Sequence, residues 1–214
     1  MPIDFGQLIR RLEKRLGEPL PGAAAHEPMR AVPVGSLVPR FEHKQPPRPG
    51  SVLILLYPHN GEVCFPLTKR PEYAGTHSGQ ISLPGGKAEP GETTIQTALR
   101  EGEEEIGVRA SDVEIMGTLT RFFVIPSNFE VVPVVGFLKS RPIFSPDPVE
   151  VVKILEGSVE GLLRPDAVQE KEIMAARTFP LRAPHFLIED EVVWGATAMM
   201  LNEFRQVVAD VLQR

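Results

Sequence analysis

The stretch 85–108, GGKAEPGETTIQTALREGEEEIGV, constrains the fold more than any other part of the chain. Pro90, Gly91 and Glu92 punctuate a loop, and Ile95, Ala98, Leu99, Gly102 and Ile106 then recur at helical intervals. At about 100° per residue these small and apolar positions share one side of a short amphipathic helix. Glu101, Glu104 and Glu105 fall together on another side, so three carboxylates crowd one face. Like charges at this spacing oppose helix formation by about a few tenths of a kcal/mol per pair, and crowding raises carboxylate pKa values. A hard divalent cation offsets both effects. Mg²⁺ takes carboxylate oxygens and often shares its remaining positions with substrate phosphates. Gly107 supplies the helix stop, because glycine enters the left-handed cap conformation without steric cost.

Gly86, five residues, Glu92, seven residues, then Arg100, Glu101, two residues, Glu104, Glu105, one residue, Gly107 and the aliphatic Val108 together resemble the Nudix hydrolase signature. Gly102 departs from it, standing where the family usually has an aliphatic or small residue, but it replaces no ligand. The resemblance implies an α/β/α sandwich with a mixed β-sheet and a hydrolase that uses Mg²⁺ or Mn²⁺. Its metal ions would sit on Glu101, Glu105 and Glu104 with help from the Gly86 carbonyl, while Arg100 and Glu92 brace the loop as a charge pair. The general base is either a box glutamate or one from a later loop, for which Glu150 is the candidate. The structural alternative for Glu150 is a helix N-terminal glutamate favoured by the dipole.

At 214 residues, with no internal repeat and no break in composition, the chain is expected to form one domain over 1–214, with an N-terminal helix and a proline-rich arm over about 1–50. The 23 basic and 28 acidic residues give a net charge of −5, which does not attract polyanions as a whole, so nucleic acid is not an expected partner. The single cysteine, Cys64, excludes an internal disulfide framework and suits a reducing compartment. No apolar run has the length of a membrane span or a signal-peptide core, and a cytosolic protein is expected.

In chain order, Phe5, Leu8, Ile9, Leu12 and Leu16 form an apolar stripe closed by Gly17, predicting a helix that packs on the body or serves a partner. The proline-rich segment that follows reads as an extended arm without regular helix. The run SVLILLY (51–57) predicts a buried strand, and EVCFPLTK (62–69) returns after the His59-Asn60-Gly61 turn, with Pro66 pointing to an edge or bulge. Strands are expected over 113–123, 130–138 and 172–181, and helices over 148–163 and 195–212.

Leu67-Thr68-Lys69-Arg70, His77-Ser78-Gly79 and Leu83-Pro84-Gly85-Gly86 resemble the extension of coenzyme A pyrophosphatases within the Nudix superfamily. The usual pattern has Ser at Pro71, Leu-Arg at Ala74-Gly75 and Phe at Leu83. Ser127-Asn128-Phe129, Pro133, Glu150-Val151 and Trp194-Gly195-Ala196-Thr197-Ala198 also resemble blocks of those enzymes. The implied substrate is coenzyme A or an acyl derivative, with Lys69 and Arg70 available to its anionic end. His77 either meets substrate or fixes the glycine loop. Other diphosphates such as ADP-ribose or NADH, and a module that binds a nucleotide without cleaving it, remain the alternatives. Related enzymes also leave a homodimer open.

Overall fold

The computed structural model describes residues 3–35, 38, 40–72, 78–175 and 178–213. Helix α1 (Phe5–Leu16) starts where the Asp4 carboxylate accepts the Gln7 N–H at 2.7 Å, and it ends at Gly17. The arm carries more regular structure than its prolines suggest. The alanine-rich α2 (Ala23–His26) and a 3₁₀ turn (Glu27–Met29) precede a two-residue strand, β1 (Val32–Pro33). Pro21 lies before α2 and Pro28 falls in the turn, so neither interrupts the helix.

Next come β2 (Arg48–His59), β3 (Glu62–Lys69), β4 (Ile81–Ser82), β5 (Gly85–Lys87) and the helix α3 (Thr94–Ile106). They are followed by β6 (Glu114–Thr118), β7 (Phe122–Val124), β8 (Phe129–Phe137), β9 (Lys153–Ser158) and α4 (Val159–Leu163). The chain then runs through β10 (Val168–Ala175), β11 (Phe179–Ile188), β12 (Glu191–Trp194) and α5 (Gly195–Gln213). Among the described residues, one mixed sheet runs in the order β4-β3-β2-β8-β6, with β5 on β2, β7 on β8 and β9 on β3. β2 and β8 are parallel. A second sheet joins β1, β11 and β10, with β12 on β11.

The unbroken apolar run of β2 is explained by its position between two layers. Leu53, Leu55 and Tyr57 pack with Ala98 and Ile106 of α3, whereas Ile54 and Leu56 join the cluster of Leu8, Leu12 and Phe204 from α1 and α5. This is the expected α/β/α arrangement on a mixed sheet. The stripe of α1 is consumed inside the chain: Leu8 and Leu12 are buried, and Arg15 pairs with Asp210 of α5 at 2.9 Å. It is therefore not available to a second copy.

Two local expectations are corrected, and a third is sharpened. Residues 148–163 are a turn, then β9, then α4, because Lys153–Ser158 pairs along residues 64–69 of β3 and the Phe65 ring lies against Gly157. The edge expected at Pro66 holds locally: β3 pairs with β2 only through Cys64 and with β4 only from Thr68, so β9 alone pairs at Pro66, which has no N–H to offer a second strand. The strand expected over 172–181 is the end of β10 and the start of β11, two arms of one antiparallel pair. Among the described residues no helix is long and apolar enough to cross a membrane.

The arm is fastened by a fully buried carboxylate on α5. Glu203 accepts the Gly22 N–H at 3.0 Å and the Thr120 hydroxyl at 2.5 Å, and His26 Nε2 lies 3.0 Å from its second oxygen. Burial alone would raise its pKa, but the bonds from His26, Thr120 and Gly22 outweigh burial and hold it below the usual carboxylate range. Glu203→Gln is expected to cost about 3 kcal/mol at neutral pH. Because the folded pKa is the depressed one, the wild-type advantage in melting should be full above about pH 5 and close as pH falls below about 4. Melting curves of both proteins across this range check it.

Candidate active site

Local chemistry builds the acidic helix where the box spacing puts it. Thr93 and Gln96 form a reciprocal capping box at the start of α3, and Gly107 ends it at φ 72°. Gly102 sits where the helix comes closest to the sheet, since an added Cβ would lie 3.0 Å from Leu53 Cδ2. Its low helix propensity is thus exchanged for close approach.

That approach presses the helix carboxylates onto the glycine pair of β5. A Cβ on Gly86 would lie 2.6 Å from both carboxylate oxygens of Glu101. One turn later, Glu105 is buried and accepts the Gly85 N–H at 3.2 Å. Burial raises the pKa of Glu101; Arg100 counters this in part, and the charges of Glu104 and Glu150 add to it. Burial likewise pushes Glu105 up to about 7, against the pull of Arg70 and the Gly85 N–H and with further push from Glu101 and Glu150.

Arg100 and Glu92 meet as expected. Arg100 Nε lies 2.8 Å from Glu92 Oε1, and the same guanidinium reaches Glu101 at 2.9 Å, Glu104 at 2.8 Å and the Lys87 carbonyl at 3.0 Å. Its hydrogen bonds, with those from the Glu89 N–H and Thr97, hold Glu92 down to about 2. The brace ties the loop after β5 to the middle of α3.

The remaining candidates fall out unevenly. Glu104 is 60% exposed and turned to Arg100. Glu150 lies in a turn before β9, not at a helix N-terminus, and its charge is felt at both Glu101 and Glu105. Asp147 shapes that turn by accepting the N–H groups of Val149 and Glu150 at 2.7 and 2.9 Å, while its own N–H bonds the Glu105 carbonyl at 3.0 Å. Asp before a proline is a turn signal that was readable in the sequence. Lys69 is committed to Glu191 at 2.5 Å, a partner 122 residues away that no local pattern announces. Arg70 Nη2 stands 3.5 Å from both Glu105 Oε1 and the Gly85 carbonyl oxygen. His77 lies outside the described residues.

The two glycine carbonyls face different ways. The Gly86 carbonyl faces β2, where a Cβ on Gly50 would lie 2.6 Å from it, so it is turned away from Arg70. The Gly85 carbonyl is the one that shares a cation with Glu105.

The buried Glu105 and half-buried Glu101, both of raised pKa, and the Gly85 carbonyl, with the Arg70 guanidinium drawn toward Glu105 and Gly85, are a hard-oxygen donor set that fits Mg²⁺ or Mn²⁺. Among the described residues no three of His, Cys, Asp and Glu gather closely enough to chelate an ion alone. A depression of about 610 Å³ on the outer side of α3 is lined by Glu92, Gln96, Arg100, Glu103 and Glu104. Glu101 and Glu105 do not line it, so it is separate from this donor corner.

A family model described as the NUDIX domain matches residues 47–199. An uncharacterized Nudix hydrolase, NudL, of Yersinia enterocolitica is 31% identical over 186 residues, covering 82% of this chain and 93% of that protein. Nudix hydrolase 3 of Caenorhabditis elegans is 33% identical, with 72% of this chain and 70% of the relative aligned. Nudix hydrolase 22, chloroplastic, of Arabidopsis thaliana is 36% identical over 76% of this chain, but the chain spans only 56% of that relative's length. Among solved structures, the M. smegmatis Nudix hydrolase RenU shares the fold, with a TM-score of 0.55 and 17% identity over 78% of this chain and 88% of that one.

Gly86→Ala tests the packing directly. The added methyl should displace the Glu101 carboxylate, so the variant should keep its helical circular dichroism and lose most of the rise in melting temperature that Mn²⁺ gives the parent. An unchanged Mn²⁺ response would mean that Glu101 is not placed by this contact.

Proposed function

The chain belongs to the Nudix hydrolase family, and on that premise we propose that it hydrolyses the diphosphate of coenzyme A or an acyl-coenzyme A. The products are adenosine 3′,5′-bisphosphate and 4′-phosphopantetheine or its acyl derivative. The observation that carries this reading is the position of Arg70. It comes from the Leu67-Thr68-Lys69-Arg70 motif of the coenzyme A resemblance, and its guanidinium stands at the donor corner of Glu105 and Gly85. The segment associated with the substrate thus meets the helix associated with the chemistry.

Glu101 and Glu105 would hold Mg²⁺ or Mn²⁺ with the Gly85 carbonyl, and Glu104 is exposed enough to join if it leaves Arg100. Such an ion supplies neutralisation of the diphosphate and a lowered pKa for the attacking water. The water oxygen adds to one phosphorus, the bridging P–O bond breaks, and the departing phosphate carries away its electron pair. Glu150 is the candidate to take the water's proton, a reading supported by the push that its charge gives Glu101 and Glu105 from an exposed turn. Glu105 is the alternative base. Arg100 and Glu92 keep the loop in register with the helix. Lys69 is a weaker candidate for substrate because Glu191 already neutralises it.

Mass-spectrometric product analysis with Mg²⁺ or Mn²⁺ should find coenzyme A or an acyl derivative cleaved with higher kcat/KM than ADP-ribose, NADH or a nucleoside triphosphate. Preference for another diphosphate would leave the metal helix in place and remove the coenzyme A assignment. Binding without cleavage would favour a nucleotide-binding module. Glu105→Gln should lose about 100-fold or more in turnover with its circular dichroism unchanged. Glu150→Gln should lose a comparable factor if it is the base, and near-parental turnover would pass that role to Glu105.

A further inference from the structure

We propose that Arg70 holds the place of the divalent cation in the metal-free protein and is released to the substrate diphosphate when the ion binds. This rests on the metal-dependent reading above and adds an exchange to it: one pair of oxygens serves two cations in turn.

The argument begins with how differently the three nearby cations are held. Arg100 makes contacts of 2.8–3.1 Å to Glu92, Glu101, Glu104 and the Lys87 carbonyl. Lys69 has a short ion pair with Glu191. Among the described residues Arg70 has two oxygens at 3.5 Å each, beyond the usual 2.7–3.2 Å of an N–H···O bond. Its guanidinium is drawn to the corner by charge without being locked there, and its side chain is 28% exposed, so the head has a way out.

The backbone beneath it is fixed. The Arg70 N–H donates to the Gln80 carbonyl at 3.1 Å, and the Lys69 carbonyl accepts the Val152 N–H at 2.9 Å. A swing of the side chain therefore requires no movement of β3. The oxygens it touches, Glu105 Oε1 and the Gly85 carbonyl, belong to the same donor corner that fits a hard divalent ion. An ion bound there at about 2.1 Å from oxygen would repel a guanidinium left beside it. Once displaced, Arg70 is a planar five-donor cation at the rim of a site that receives a diphosphate, and a phosphate can accept two parallel bonds from it. Arg70 therefore opposes metal binding when substrate is absent and favours substrate once metal is present. Linkage makes the first effect reciprocal between the two cations.

The test measures Mn²⁺ binding to the substrate-free protein, by the electron paramagnetic resonance of free Mn²⁺, for the parent, Arg70→Gln, Arg70→Lys and Glu101→Gln. Melting curves confirm that each is folded. Arg70→Gln is expected to bind Mn²⁺ on the order of ten-fold more tightly, while its KM for the cleaved substrate rises by about ten-fold. Arg70→Lys, which keeps the charge, should stay closer to the parent in Mn²⁺ affinity. Unchanged or weaker Mn²⁺ binding in Arg70→Gln overturns the exchange. If Glu101→Gln abolishes Mn²⁺ binding while Arg70→Gln leaves it untouched, the metal site stands and only the exchange falls. If the parent binds no Mn²⁺, the metal-dependent reading falls and the exchange falls with it.

Discussion

The contact on which the rest depends is that of α3 with the start of β2 and with β5. Two glycines make it possible on the strand side and one on the helix side: Gly85 lets β5 close onto Ser51 and Val52 of β2, Gly86 leaves room for the Glu101 carboxylate, and Gly102 lets the helix settle onto Leu53. Burying apolar residues such as Ala98 and Ile106 against Leu53, Leu55 and Tyr57 supplies the driving force for this closeness. The same packing removes two carboxylates from water without giving them a full set of donors. The helix is thus held by one face and electrostatically loaded by the next, and the load is relieved by positive charge.

A comparison within the molecule shows that burial alone does not decide what a carboxylate becomes. Glu203 is as buried as Glu105, yet its pKa is lowered, because an N–H, a hydroxyl and an imidazole all converge on it. Glu105 has one N–H at 3.2 Å and a loosely held guanidinium, and its pKa rises to about 7. A carboxylate with its acceptor capacity filled acts as a clasp, here between the N-terminal arm and α5. A buried carboxylate with that capacity unfilled is held in readiness for a cation.

The features legible in the sequence are those fixed by nearest neighbours along the chain. The periodicity of α1, α3 and α5, the double-sided burial of β2, the Gly107 cap and the Glu92–Arg100 brace all depend on residues within about two turns or one loop of each other. What escaped depends on distant partners. Residues 153–158 contain a glycine and only a short apolar stretch, and they are a strand because β3 offers them an unpaired edge some ninety residues earlier in the chain. Lys69 looked available until Glu191 met it from β12. The facing of the Gly85 and Gly86 carbonyls escaped for another reason: which way a carbonyl faces in an extended segment follows from strand pairing, here of Gly86 with Ser51.

Arg70 and Arg100 carry the same charge within one site, and their partners assign them opposite duties. Arg100 is surrounded by three carboxylates and a carbonyl at hydrogen-bonding distance, so moving it would strand several acceptors at once. It can fix a loop but cannot follow a substrate. Among the described residues Arg70 would leave two long contacts behind, and the other oxygen of the Glu105 carboxylate keeps its bond from the Gly85 N–H. The exchange proposed for Arg70 requires an attachment this weak, whereas holding the loop in register with α3 requires one as strong as that of Arg100.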